Sequence, residues 1–93
     1  MLKINDYFEG RVKSIAFQAA GGADTVGVIA SGEFEFGTST REIMTVISGV
    51  LSVSLPDAGA WRDYRAGETF TVEKDKKFRV RAAADAAYLC LYQ

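Results

Sequence analysis

Thr38, Ser39 and Thr40 set three hydroxyls in a row immediately before Arg41. Hydroxyl donors beside a guanidinium suit an oxyanion, although runs of Ser and Thr also make ordinary turns. Glu42 comes next. Drawn into an apolar interior, it is a polar anchor or an acid with a raised pKa; the plain alternative is a carboxylate satisfied by backbone N–H groups or an arginine. Strict alternation puts Lys13 on the face of Ile15 and Phe17, where it either holds an anion as a point charge or runs its stem along the surface. Ser48 shares the parity of Glu42, while Tyr88 and Tyr92 each join a ring to a hydroxyl. The chain has no histidine, which removes the commonest general base, every Ser/His or Cys/His dyad and every metal site built on imidazole. Cys90, the single cysteine, cannot close an internal disulfide and reads as an inert core thiol.

These residues must be positioned by one unit spanning residues 1–93, because 93 residues are too few for a second core. Apolar residues at 48% and charged residues at 25% are ordinary for a globular domain. A net charge of −1 leaves no electrostatic footprint for duplex nucleic acid or an anionic membrane, so neither is an expected partner. Met1 to Asp6 lack the apolar core of a signal sequence, and no run approaches a membrane span. The expected location is the cytoplasm.

Nine glycines and the single Pro56 separate short runs rich in Val, Ile, Phe, Thr and Tyr, which predicts an all-β chain. In Glu33-Phe34-Glu35-Phe36 both rings fall on one face and both carboxylates on the other, a solvated or interface face. Leu51 to Leu55 repeats the pattern, and further strands are expected at 11–17, 25–30, 44–47 and 88–92. The charged run Glu73 to Lys77 between Phe70-Thr71-Val72 and Phe78-Arg79-Val80-Arg81 reads as a hairpin tip, with Arg79 and Arg81 facing outward. Residues 4–9 and 82–87 invite helix. Trp61 sits in a polar segment as a loop anchor or a partner contact, and Asp57 is expected to cap the turn after Pro56. About eight short strands are too many for one small open sheet, so the expected fold is a small β-barrel or jelly roll with a concave interior.

The segment from Gly32 to Gly49 resembles the first cupin motif, with Glu42 and Gly49 at its acid and glycine places. Phe36 and Thr38 stand where metal-binding cupins carry two histidines, and Phe78 stands at the histidine place of the second motif. The resemblance therefore implies a cupin without the cupin metal site. Over nearly the whole chain the sequence is similar to the small single-domain cupins called pyrimidine/purine nucleoside phosphorylases. The similarity is carried by Tyr7-Phe8, Val12-Lys13-Ser14-Ile15, Glu42-Ile43-Met44-Thr45-Val46-Ile47-Ser48-Gly49, Leu55-Pro56-Asp57, Trp61, Tyr64, Ala66-Gly67 and Tyr88-Leu89-Cys90.

That resemblance implies phosphate-dependent cleavage of purine and pyrimidine nucleosides to free base and pentose 1-phosphate, in a homodimer. Inorganic phosphate is the co-substrate and no metal or other cofactor is expected. Phosphorolysis passes through an oxocarbenium-like state, so its site needs donors for phosphate, a surface for the base and a group that meets the charge of the departing base. Glu42 and Thr38 are the expected catalytic pair, Thr38 because it holds a former metal-ligand place. Lys13, Ser39, Thr40 and Arg41 are expected at phosphate, and Phe36, Phe78, Tyr88, Tyr92 and Ser48 at the nucleoside. Two other readings stay open: a barrel that binds a sugar or nucleoside without turnover, and a structural dimer whose barrel is filled by Phe36, Met44 and Phe78.

Overall fold

The computed structural model describes residues 2–56 and 58–93, so the expected cap at Asp57 lies outside the described residues. Among the described residues ten strands follow one another: β1 (Lys3–Tyr7), β2 (Val12–Ala19), β3 (Gly22–Ile29), β4 (Gly32–Gly37), β5 (Glu42–Ser48), β6 (Val50–Ser54), β7 (Trp61–Arg65), β8 (Thr69–Val72), β9 (Lys77–Ala82) and β10 (Ala86–Tyr92). They form a six-stranded sheet, β1-β2-β3-β10-β5-β8, and a four-stranded sheet, β4-β9-β6-β7. All pairings are antiparallel. The result is an all-β jelly roll of two facing sheets, with no membrane-spanning helix among the described residues.

Alternation builds the core. Val12, Thr25, Ile29, Met44, Val46, Phe70, Val72 and Cys90 point inward from the larger sheet, and Phe34, Leu51, Val53, Tyr64, Phe78 and Val80 meet them from the smaller. Burying such a side chain stabilises the fold by about 1.5–3 kcal/mol. The opposite faces carry charge where the sequence alternates: Glu33 and Glu35 lie across from Arg81 and Arg79, and Arg79 reaches Glu33 at 3.1 Å. Trp61 opens β7 with the Arg81 guanidinium 4.1 Å above its ring.

Two segments expected to be helical are not. Residues 3–7 pair with β2 as an edge strand, Lys3 opposite Ala16 and Tyr7 opposite Val12. A helix of that length nucleates poorly alone, while a waiting strand satisfies the backbone at once. The alanine run is split: Ala82 ends β9 and Ala86 starts β10, both buried. Between them Asp85 accepts a hydrogen bond from the Ser31 N–H at 3.1 Å.

The charged run after Val72 is not a hairpin tip either. β8 pairs with β5 in the larger sheet, whereas β9 pairs with β4 and β6 in the smaller, so residues 73–76 carry the chain from one sheet to the other. The inward faces of Phe70-Val72 and Phe78-Val80 then meet across the core instead of side by side. Periodicity alone cannot separate these outcomes, because both bury the same residues. Thr38 fastens the crossing. Its hydroxyl donates to the Glu73 carbonyl at 2.7 Å and accepts from the Lys76 N–H at 3.0 Å. Its backbone N–H donates to the Lys76 carbonyl at 2.9 Å and its carbonyl accepts from the Asp75 N–H at 3.0 Å. Asp75 sits at φ 60°, a left-handed turn residue.

The expected catalytic role of Thr38 is corrected on this ground: the hydroxyl is buried and committed to the crossing. Thr38→Ala leaves the Lys76 N–H and the Glu73 carbonyl without their side-chain partner, for a loss of about 0.5–1.5 kcal/mol. In thermal unfolding that loss lowers the midpoint by about 4–8 °C per kcal/mol in a domain this size, and Thr38→Ser restores most of it. An unchanged midpoint in Thr38→Ala contradicts the fastening role.

Candidate functional site

Between the sheets, at the end where β4 runs out and β5 begins, the core leaves a cavity of about 200 Å³. Phe36, Met44, Phe78 and Ile29 give it apolar walls, and Glu42, Cys90, Ser14, Tyr7, Tyr88 and Tyr92 give it polar ones. Tyr7 and Tyr92, 47% and 40% exposed, mark the open side. The cavity means that Phe36, Met44 and Phe78 line the interior without filling it.

The register explains how these groups converge. β10 lies between β3 and β5, placing Tyr92 opposite Glu42 and Cys90 opposite Met44. On the other side, Phe36 pairs with Phe78 across β4 and β9, and their rings stack with centroids 5.6 Å apart and planes 28° apart. Phe8 closes edge-on against Phe36 at 5.5 Å. Aromatic rings therefore share the cavity with a carboxyl, a thiol and phenolic hydroxyls.

No cation pairs with Glu42 among the described residues; its Oε1 accepts from the Cys90 thiol at 3.6 Å. Burial raises the Glu42 carboxyl above its ordinary 4.5, and the thiol contact only partly offsets this. Burial, followed by the adjoining Glu42 charge, pushes the Cys90 thiol up to about 12. It is thus a neutral cavity wall. Burial likewise raises both Tyr88 and Tyr92, keeping their hydroxyls protonated. Tyr92 is further held at 3.1 Å by the hydroxyl of Thr25, itself buried.

Of the expected residues, Glu42, Phe36, Phe78, Tyr88 and Tyr92 meet in this cavity. Ser39, Thr40 and Arg41 belong to the loop joining the cavity-lining Gly37 and Glu42. All three are exposed, and Arg41 reaches Glu73 at 3.5 Å. Two expectations are corrected. Lys13 lies on the outer face, exposed and 3.6 Å from Asp6, because it is Val12 and Ser14 that turn inward on β2. Ser48 is also exposed: the register steps from Tyr88 opposite Val46 to Ala87 opposite Ser48. The extra residue, Ile47, is a bulge that reverses the parity beyond it.

Ser14, Tyr7 and Cys90 line the cavity but were not foreseen there. The buried spacing Val12-x-Ser14 held the signal for Ser14, and Cys90 shows the same parity as Tyr88 and Tyr92. Tyr7 gave none while its segment read as helix. Among the described residues, no three of His, Cys, Asp and Glu gather as metal ligands.

Comparison with known proteins matches residues 2–92 to the family described as pyrimidine/purine nucleoside phosphorylase. A protein of that name from Pseudomonas fluorescens (strain Pf0-1) is 55% identical over 93 residues, covering 100% of this chain and 99% of its own. A crystal structure of a Vibrio parahaemolyticus protein of unknown function superposes with a TM-score of 0.96 at 41% identity, over 100% of this chain and 99% of that one. An RmlC-like cupin from Shewanella frigidimarina gives a TM-score of 0.73 at 14% identity, over 96% and 80% of the two chains. That last likeness shows the cupin fold.

The uncompensated carboxyl has a consequence for stability. A pKa higher in the folded than in the unfolded chain means that the folded state holds the proton longer, so its stability falls as pH rises from the unfolded value through the folded one. Glu42→Gln removes the charged form. Its thermal midpoint should exceed that of the wild type at pH 7 and coincide with it at acid pH, where Glu42 is neutral in both states. A lower midpoint at pH 7 contradicts a desolvated, unpaired Glu42.

Proposed function

The chain belongs to the pyrimidine/purine nucleoside phosphorylase family, and from that premise we propose that the cavity between the sheets is its active site. The observation that carries this reading is a half-buried carboxyl, with no cationic partner among the described residues, that shares the cavity with the Phe36 and Phe78 rings. A flat heterocycle needs the second, and its departure from a sugar needs the first.

Size orients the substrate. Sites enclosing a whole small-molecule ligand span about 300–1,000 Å³, whereas this cavity has about 200 Å³. It takes the base and leaves the pentose and phosphate towards the mouth. The base stacks on Phe36 and Phe78, with Tyr88 and Tyr92 as neutral donors at its edge. Phosphate lies against the loop 39–41, where the Ser39 and Thr40 hydroxyls donate and Arg41 supplies charge.

As the bond between the anomeric carbon and the base nitrogen breaks, its electron pair leaves with the base, and a phosphate oxygen forms the new bond to that carbon. Glu42 in its acid form gives its proton to the departing base. The products are free base and α-D-pentose 1-phosphate. Phosphate arrives as the nucleophile, so the absence of histidine costs the reaction nothing essential. Inorganic phosphate is the co-substrate, and the reaction needs no metal.

We place the enzyme in the cytoplasm as a homodimer, with neither nucleic acid nor membrane as partner. Support for a second copy is the outer face of the larger sheet. There Ile4, Ile15, Val26 and Leu89 stand in register on neighbouring strands, and Ile4 is 73% exposed. Ile15→Lys should shift the sedimentation of the wild-type dimer towards monomer; an unshifted dimer removes this face from the interface.

The activity is checked by incubating the protein with a panel of nucleosides, with and without inorganic phosphate and with chelator present. Base and pentose 1-phosphate should form only with phosphate and persist under chelation. General acid catalysis contributes about 10²–10⁴-fold, and Glu42→Gln should lower kcat by that order with KM for phosphate little changed. Wild-type kcat should fall as pH rises through the raised pKa of Glu42. Absence of product from folded protein that nucleosides nevertheless stabilise against heat points to a binding module instead.

A further inference from the structure

Gly27 lies in the middle of β3, a central strand of the larger sheet, flanked on its inward face by Thr25 and Ile29. Glycine there is unfavourable by about 0.5–1 kcal/mol relative to alanine, and in a strand it often marks a close approach. No left-handed conformation explains it, since Gly27 is not among the glycines of positive φ. The explanation is spatial. Its register partner on β10 is Tyr88 and its partner on β2 is Ser14, both of which line the cavity. A Cβ built on Gly27 would stand 2.5 Å from both Cζ and Oη of Tyr88 and 2.7 Å from Cε1. The Tyr88 ring therefore lies back over the glycine, against the floor of the sheet.

An alanine at this position cannot coexist with that ring. β3 and β10 are bonded partners held on both sides, β3 by β2 and β10 by β5. The ring can yield only by lifting off the sheet, into the space between the two sheets. That space is the cavity.

We propose that Gly27 is a specificity-determining residue: by letting Tyr88 lie flat it gives the cavity the depth to admit a two-ring base as well as a one-ring base. Gly27 touches no substrate and acts by positioning Tyr88. The inference rests on the reading that the base occupies this cavity.

The test compares kcat/KM for inosine and uridine, with phosphate saturating, in the wild type, Gly27→Ala, Tyr88→Leu and the double variant. Added bulk at a close-fitting pocket is worth about 10-fold or more in discrimination, so Gly27→Ala should lower the inosine-to-uridine ratio by at least about that factor. The double variant, which removes the ring, should match the ratio of Tyr88→Leu to within about 3-fold, because the two changes act through one contact. An unchanged ratio in Gly27→Ala, or a lowered ratio that persists in the double variant, overturns the proposal. Should Gly27→Ala not fold, Tyr88→Leu alone decides: a raised ratio supports the role of the ring, and an unchanged or lowered ratio overturns it. A wild type inactive on both nucleosides is the separate failure of the phosphorylase reading.

Discussion

A carboxyl group held between the apolar faces of two sheets, with a thiol and, among the described residues, no cation to meet it, is the constraint from which the site follows. Glu42 stands at the first position of β5, opposite Tyr92, where the inward face of the strand has already begun but the sheets have not yet closed over it. Burial there works against the charged form. The groups around it are compatible with a neutral acid: Cys90 is kept as a thiol, and Tyr88 and Tyr92 are kept as phenols. Taken together they line the cavity with groups whose charged forms burial disfavours.

The facing wall is equally determined by the strands. Phe36 and Phe78 are cross-strand partners, and such aromatic pairs stabilise a sheet as well as forming a surface. One pair thus serves the core and lines the cavity. The sheets are held at this separation by the crossing after β8, which Thr38 fastens through side chain and backbone together. The residue at the place where the first cupin motif carries a metal ligand is here a structural tie.

How much of this was legible depended on which signals are local. Alternation located β4, β6 and β9 and the face on which each ring would lie, since a period of two is written into neighbouring residues. It could not say which sheet received each strand, so Phe70-Val72 and Phe78-Val80 read as a hairpin when they face one another across the core. β1 and β7 were lost because their sequences are too polar to show a buried face: every residue of Lys3–Tyr7 is exposed or half-buried. Parity carried Glu42 into the cavity correctly but failed for Ser48, because a bulge at Ile47 leaves no mark in the sequence. Lys13 was misplaced for the converse reason, its inward neighbour Ser14 being the polar residue of an otherwise apolar row. The family was visible from residues spread over nearly the whole chain, while the roles of individual residues needed the register.

The most direct measurement is a crystal structure with a nucleoside analogue that resists cleavage, grown with inorganic phosphate. The base should lie on Phe36 and Phe78, with the Glu42 carboxyl within hydrogen-bonding distance of its ring nitrogen and phosphate at Ser39, Thr40 and Arg41. A nucleoside seated elsewhere, for example in the open groove between Glu33, Arg81 and Asp85 on the outer side of the smaller sheet, with the cavity empty, would contradict this placement.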